Sequence, residues 1–207
     1  GQGGTLSDAI VFEDALSLFH RYSTQNERAV AQMQSLGVLP PAAPGTPARL
    51  AILDIGAGQG RLPALLQAHA AKLALLEPNP CCVQALRRRW PDVYAMRWSD
   101  EARSLIARDH PDGFDLVTMS HMLYHLDGID GIGAGIRAAL SLVRPGGSLA
   151  IVLNQAEAPT VRVGVGFMQA CGRLAEVATN SQLHGHCHDP AFYAELGDGE
   201  FDVRIEA

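Results

Sequence analysis

The sequence predicts an open α/β sheet, mostly parallel and doubly wound by helices, and three observations carry that prediction. From residue 49 onward, strand-like and helix-like stretches alternate. The strand-like stretches are continuous apolar runs, as expected where helices cover both faces of a sheet. A glycine-rich turn follows the first strand, where folds of this class place their ligand crevice.

The elements follow in order. Gly1-Gln2-Gly3-Gly4 is neither basic nor apolar, so it reads as a loose end with no secretory signal in view. From Ser7 to about Tyr22, Ile10, Val11, Phe12, Ala15, Leu16, Leu18 and Phe19 recur at helical spacing, with Ser7 or Asp8 as cap. A second helix begins after Ser23-Thr24 and runs through Ala29, Val30 and Met33 to a stop at Gly37. The prolines at Pro40, Pro41, Pro44 and Pro47 exclude both helix and central strand, and the composition changes after them. The expected division is therefore a helical segment at 1–37, a proline-rich linker at 38–48 and an α/β domain at 49–207.

Within that domain, strands are expected at Leu50–Leu53, Leu73–Leu76, Val93–Met96, Phe114–Met119 and Ser148–Leu153. The intervening helices run from Arg61 to about Ala70, Pro80 to about Trp90, Glu101 to Arg108 and Ile129 to Val143. Phe167 to Ala178 also has a helical pattern, and Asp189-Pro190 opens another helix, aspartate as cap and proline at the first position. Phe201 to Ile205 alternates as a strand.

Composition narrows the function. At 47% hydrophobic residues the chain is not disordered. With 16 basic against 22 acidic residues, a nucleic-acid partner is not expected, and Arg87-Arg88-Arg89 reads as cations at a helix carboxyl end. No apolar run is long enough for a membrane span. Cys81, Cys82, Cys171 and Cys187 show no metal spacing and read as reduced thiols of a cytoplasmic protein. His184-Gly185-His186-Cys187-His188 crowds its donors into one short stretch, unlike the separated pairs of structural zinc sites. It reads as a substrate-facing or solvated loop, and no metal is expected.

The first strand ends in Leu53-Asp54-Ile55-Gly56-Ala57-Gly58-Gln59-Gly60-Arg61. Such glycines allow a sharp turn and close approach of a ligand to backbone, while the next helix offers free N–H groups. The spacing is G-x-G-x-G; Arg61 stands where a dinucleotide fingerprint has its last glycine. Glu77 closes the second strand, 23 positions beyond Asp54, where a carboxylate can accept from both hydroxyls of an adenosine ribose. Pro78-Asn79-Pro80 stiffens the turn behind it.

Taken with Phe114-Asp115-Leu116-Val117 and Val143-Arg144-Pro145-Gly146-Gly147-Ser148-Leu149, these motifs resemble those of class I S-adenosylmethionine-dependent methyltransferases, in the same order. The resemblance covers about residues 49–206. It implies a Rossmann-like seven-stranded sheet with S-adenosylmethionine at the carboxyl ends of its first, second and fourth strands. Carried over residue by residue, it assigns the cofactor to Asp54, Gly56, Gly58, Gly60, Glu77 and Pro78. Ser99-Asp100-Glu101 would approach the adenine, although Asp100 could equally cap a helix. Ser120 and His121 would line the reaction centre.

His20 to Glu27 and Met119 to His125 are further similar to stretches of histamine N-methyltransferase-like small-molecule methyltransferases. That likeness implies a helical lid over the cofactor. Where those enzymes carry an amine-binding glutamate and a cofactor-touching histidine, this chain has Gln25 and Asn26, with Glu27 close by. An acceptor other than histamine follows. Phe12, Phe19, Tyr22, Gln25, Tyr124 and Phe167 are candidates for its pocket, although Phe12 and Phe19 also fit plain core packing. His121 and His125, four apart, would share one helical face. His121 is the candidate base, since a proton must leave a hydroxyl or ammonium acceptor.

The expected activity is methylation of a nitrogen or oxygen on a small molecule. Alternatives are a binding module of the same fold without turnover, and an NAD-dependent oxidoreductase, against which the glycine spacing counts. The sixth strand stops at Ile205-Glu206-Ala207, with the seventh strand of the resembled fold missing. Because that would leave an apolar, unpaired sheet edge, the protein is expected to continue past residue 207 rather than to depart from the family.

Overall fold

The structure is a computed structural model that describes residues 23–41, 49–126, 128–153 and 190–196. The helix expected at Ser7–Tyr22, the segment from Phe167 to Ala178, the histidine tract and the sixth strand lie outside these residues, as do Phe12, Phe19, Tyr22 and Phe167.

The first described helix, α1 (Gln25–Ser35), buries Asn26, Ala29 and Met33 along one face. It stops where the sequence predicts: Leu36 and Gly37 close the last turn on Gln32 and Gln34, and Gly37 takes a φ of 74°. Val38 and Leu39 then both donate to the Met33 carbonyl, and Leu39 is fully buried, so the start of the linker is core.

Strands β1 (Leu50–Ile55), β2 (Ala70–Leu76), β3 (Val93–Tyr94), β4 (Phe114–Ser120) and β5 (Val143–Val152) form a sheet of order β3-β2-β1-β4-β5. Every neighbouring pair is parallel. Between them run α2 (Arg61–Leu66), α3 (Pro80–Arg87), α4 (Asp100–Asp109) and α5 (Gly128–Leu140), followed by α6 (Pro190–Leu196). This is a Rossmann-like α/β fold.

Alternation along the strands sorts the core into two faces. Leu53, Ile55, Val117 and Met119 pack with Ile106 of α4 and Ile132 and Ile136 of α5. Ile52 and Leu116 pack instead with Ala29, Met33, Leu62 and Leu66 of α1 and α2. Asp54 and Thr118, two residues on from Ile52 and Leu116, share that second face.

Some boundaries differ from the sequence reading, each for a tertiary reason. Helix α2 ends at Leu66 rather than near Ala70, because pairing with β1, beginning Leu50 opposite Ala70, draws Ala70 to Lys72 into the sheet. Val143 belongs to β5 rather than α5: it faces Phe114, and the ladder resumes at Ser148 opposite Leu116, so Arg144–Gly147 bulge out between. Helix α4 is capped by Ser99, whose hydroxyl accepts from the Ala102 N–H at 3.2 Å, and not by Asp100. Helix α3 starts at Pro80 as expected but ends at Arg87 rather than near Trp90, and the Asn79 side chain caps it by accepting from the Cys81 N–H at 3.0 Å.

Candidate functional site

In a sheet of this order, connections leave β1 and β4 in opposite directions, which opens a crevice at their carboxyl ends. Three loops meet there. The Gly56–Gly60 turn follows β1, Glu77–Asn79 follows β2, and His121–Tyr124 follows β4.

The glycine turn is tied to its neighbours through backbone. Gly56 and Ala57 both donate to the Leu76 carbonyl, at 2.8 and 3.0 Å, and the Gly60 N–H closes onto Ala57 at 2.9 Å. Gly56, Gly58 and Gly60 all have positive φ, but their surroundings differ. A Cβ on Gly60 would lie 2.7 Å from both the Leu86 and Trp90 side chains, so this glycine admits the core beneath the turn. A Cβ on Gly58 would meet nothing within 4 Å. Gly58 is thus the point where the turn is bare toward open space.

Glu77 is almost fully buried and latches this turn to the next. One carboxylate oxygen accepts from the Gly58 N–H at 2.8 Å, the other from the Asn79 N–H at 2.8 Å. Two charge-assisted bonds hold the side chain still, while each oxygen keeps a further acceptor site.

Under the turn, Asp54 is 1% exposed, and its Oδ1 lies 2.5 Å from the Thr118 hydroxyl. The same hydroxyl lies 3.3 Å from the Leu53 carbonyl. Burial pushes the Asp54 carboxyl up to about 7; the Thr118 hydrogen bond opposes the rise and the nearby Glu77 charge adds to it. No motif or spacing in the sequence marks Thr118.

Past β4, His121 takes a φ of 53°, uncommon for a residue other than glycine, and its N–H donates to the Val152 carbonyl at 2.9 Å. Its ring nitrogens are shielded from solvent. Leu123–His125 form a single 3-10 turn, with Met122 and Leu123 buried, Tyr124 half-buried and His125 exposed. His121 precedes that turn in a left-handed conformation, so it does not share a helical face with His125. Met122 packs against Gly56, joining this loop to the glycine turn.

The other candidates fall at varying depth. Asn26 is buried and Gln25 half-buried at the start of α1. Pro78 is exposed. The Ser99 hydroxyl is engaged in its cap, Asp100 is exposed with Arg103 at 3.7 Å, and Glu101 is exposed. Glu27 lines a cavity of about 290 Å³ with Gln59, Gly60, Arg61 and Arg89. Asp115, part of a sequence motif, serves the opposite end of β4: it accepts from the Ala51 N–H at 2.8 Å and pairs with Arg144. Among the described residues no cluster of three or more His, Cys, Asp or Glu could hold a metal, and no helix is long and apolar enough to cross a membrane.

No curated protein matches the sequence. Solved structures with a similar course of chain include a sugar N-methyltransferase from a Streptoalloteichus species, 21% identical with a TM-score of 0.47 over 73% of this chain and 54% of that one. An amino pentose methyltransferase from Micromonospora echinaspora is 21% identical, TM-score 0.47, over 73% and 57%. A possible histamine N-methyltransferase from Thermotoga maritima is 19% identical, TM-score 0.48, over 73% and 64%. The chain thus spans between about half and two thirds of the length of these proteins. The sequence profile of a methyltransferase domain matches residues 22–164, more than half of the chain. The chain belongs to that methyltransferase domain family, whose cofactor is S-adenosylmethionine.

Proposed function

We propose that this chain transfers a methyl group from S-adenosylmethionine to a nitrogen or oxygen of a small molecule, in the crevice between the glycine turn, Glu77 and the loop after β4. The Glu77 latch carries this reading: a rigid, buried carboxylate with acceptor capacity to spare stands beside the bare backbone of Gly58. Those two features fit a ribose diol and a ligand lying close along the turn.

S-adenosylmethionine supplies a methyl group already activated on a sulfonium carbon. The protein's task is then alignment and exclusion of water, and alignment alone can be worth roughly 7–11 kcal/mol in favourable intramolecular cases. In this reading Glu77 holds the ribose, with Pro78 stiffening its turn. Gly56, Gly58 and Gly60 shape the approach, and Asp54 provides negative charge beneath a cationic ligand. Ser99, Asp100 and Glu101 are proposed beside the adenine, with Ser120 and Asn26 as further cofactor contacts. His121 is proposed to take the proton from a hydroxyl or ammonium acceptor. The helical segment at 1–37 is proposed as the lid, with Gln25 and Tyr124 facing the acceptor.

Incubation with methyl-labelled S-adenosylmethionine and a panel of small amines, amino sugars and alcohols tests the proposal. Labelled product is the expected result. Tight cofactor binding without product across the panel would favour the binding module, and failure to bind S-adenosylmethionine would overturn the reading.

A further inference from the structure

Asp54 and Thr118 are direct partners in the β1–β4 ladder, and both point to the face covered by α1 and α2. The Thr118 hydroxyl lies 2.5 Å from Asp54 Oδ1 and 3.3 Å from the Leu53 carbonyl, yet it owns one hydrogen. Two arrangements satisfy the group. With Asp54 charged, Thr118 donates to it, and the short distance suits a hydroxyl–carboxylate bond. With Asp54 neutral, its own O–H donates to Thr118, which turns its hydrogen onto Leu53. The threonine can therefore serve either state without orphaning a buried polar atom, whereas a purely apolar neighbour could serve neither.

The charged group that bears on Asp54 is Glu77, from the end of β2. Two carboxyls around one glycine turn repel each other when no cation is present, and a bound cation relieves that repulsion. We propose that Thr118 is a positioning residue which carries Asp54 from its neutral to its charged form when S-adenosylmethionine binds, so that cofactor binding releases a proton. The inference rests on the proposed cofactor site and adds a proton linkage to it. Asp54 titrates near neutrality in the ligand-free protein, which places the release in an accessible pH range.

The test is titration calorimetry of S-adenosylmethionine into the full chain between pH 5.5 and 8.5, in buffers of different ionisation enthalpy. The unaltered protein is expected to release up to one proton at the acid end, with affinity rising toward pH 8. Thr118→Val removes the donor to the charged form, so affinity at about pH 6 should fall about tenfold and the midpoint of the affinity profile should move up by about one pH unit. Thr118→Ser should restore both, and Asp54→Asn should abolish the release. Repeating the series in His121→Asn separates Asp54 from an imidazole titrating in the same range. Circular dichroism confirms that each variant is folded. Binding without proton release, release that survives Asp54→Asn, or an unmoved profile in folded Thr118→Val would each overturn this proposal while leaving the site reading intact. No binding by the unaltered chain at any pH would overturn both.

Discussion

Asp54 is a carboxyl placed where a charge is costly, and burial holds it well above the usual carboxylate range. Its value stands near 7 against an ordinary 3.8, so between those values the native state holds a proton that the unfolded chain releases. Its contribution to stability is complete below about pH 4 and is lost as pH rises through 7, by at most about 4 kcal/mol. Melting temperatures of the ligand-free protein measured from pH 5 to 8 should therefore decline more steeply for the unaltered chain than for Asp54→Asn; parallel curves would contradict the assignment. His121 is the other residue whose conformation invites a functional reading, since strained backbone is retained where surrounding structure imposes it. Asparagine tolerates the same left-handed conformation but accepts no proton near neutrality. His121→Asn is expected to lower turnover about 100-fold while the cofactor Kd stays within about threefold. Full turnover would remove His121 from the chemistry.

At the scale of elements, the glycine turn divides into parts with separate duties. Gly60 faces Leu86 and Trp90, so Gly60→Ala combines backbone strain at a φ of 81° with a clash and should cost about 3 kcal/mol in urea unfolding. Gly58→Ala meets open space, and should cost only about 1 kcal/mol while weakening cofactor binding sharply. Equal effects of the two on both readouts would contradict this division. The β4 motif splits in the same way: Asp115→Ala, which strips the Ala51 N–H and Arg144 of their partner, should lower stability by about 1–3 kcal/mol without changing cofactor affinity.

The turn and Glu77 are legible in the sequence because their information is local: glycine spacing and a strand-end carboxylate. Thr118 carries no such mark. A threonine within an apolar strand reads as a β-branched core residue. Only strand pairing across 64 positions reveals it as the partner of Asp54. The same holds for Ala70–Lys72 and Val143, where sheet pairing overrides a helical reading. Asp115 is the converse, a visible motif residue whose work is to tie β1 and β5 to β4 at the amino end of the sheet.

For the whole molecule, strand order is what turns scattered motifs into one site. Placing β1 beside both β2 and β4 brings Gly58, Glu77 and His121, distant in sequence, together at the carboxyl ends of the strands. Strand–helix alternation and sheet order show an α/β fold, and the match of residues 22–164 to a methyltransferase domain shows the family. The most direct measurement is equilibrium binding of S-adenosylmethionine to the unaltered chain and to Glu77→Ala, with circular dichroism to establish that both are folded. Micromolar binding by the former and a loss of about 100-fold or more in the latter is the expected result. Equal affinity in the two proteins, or no binding by the unaltered chain, would contradict it.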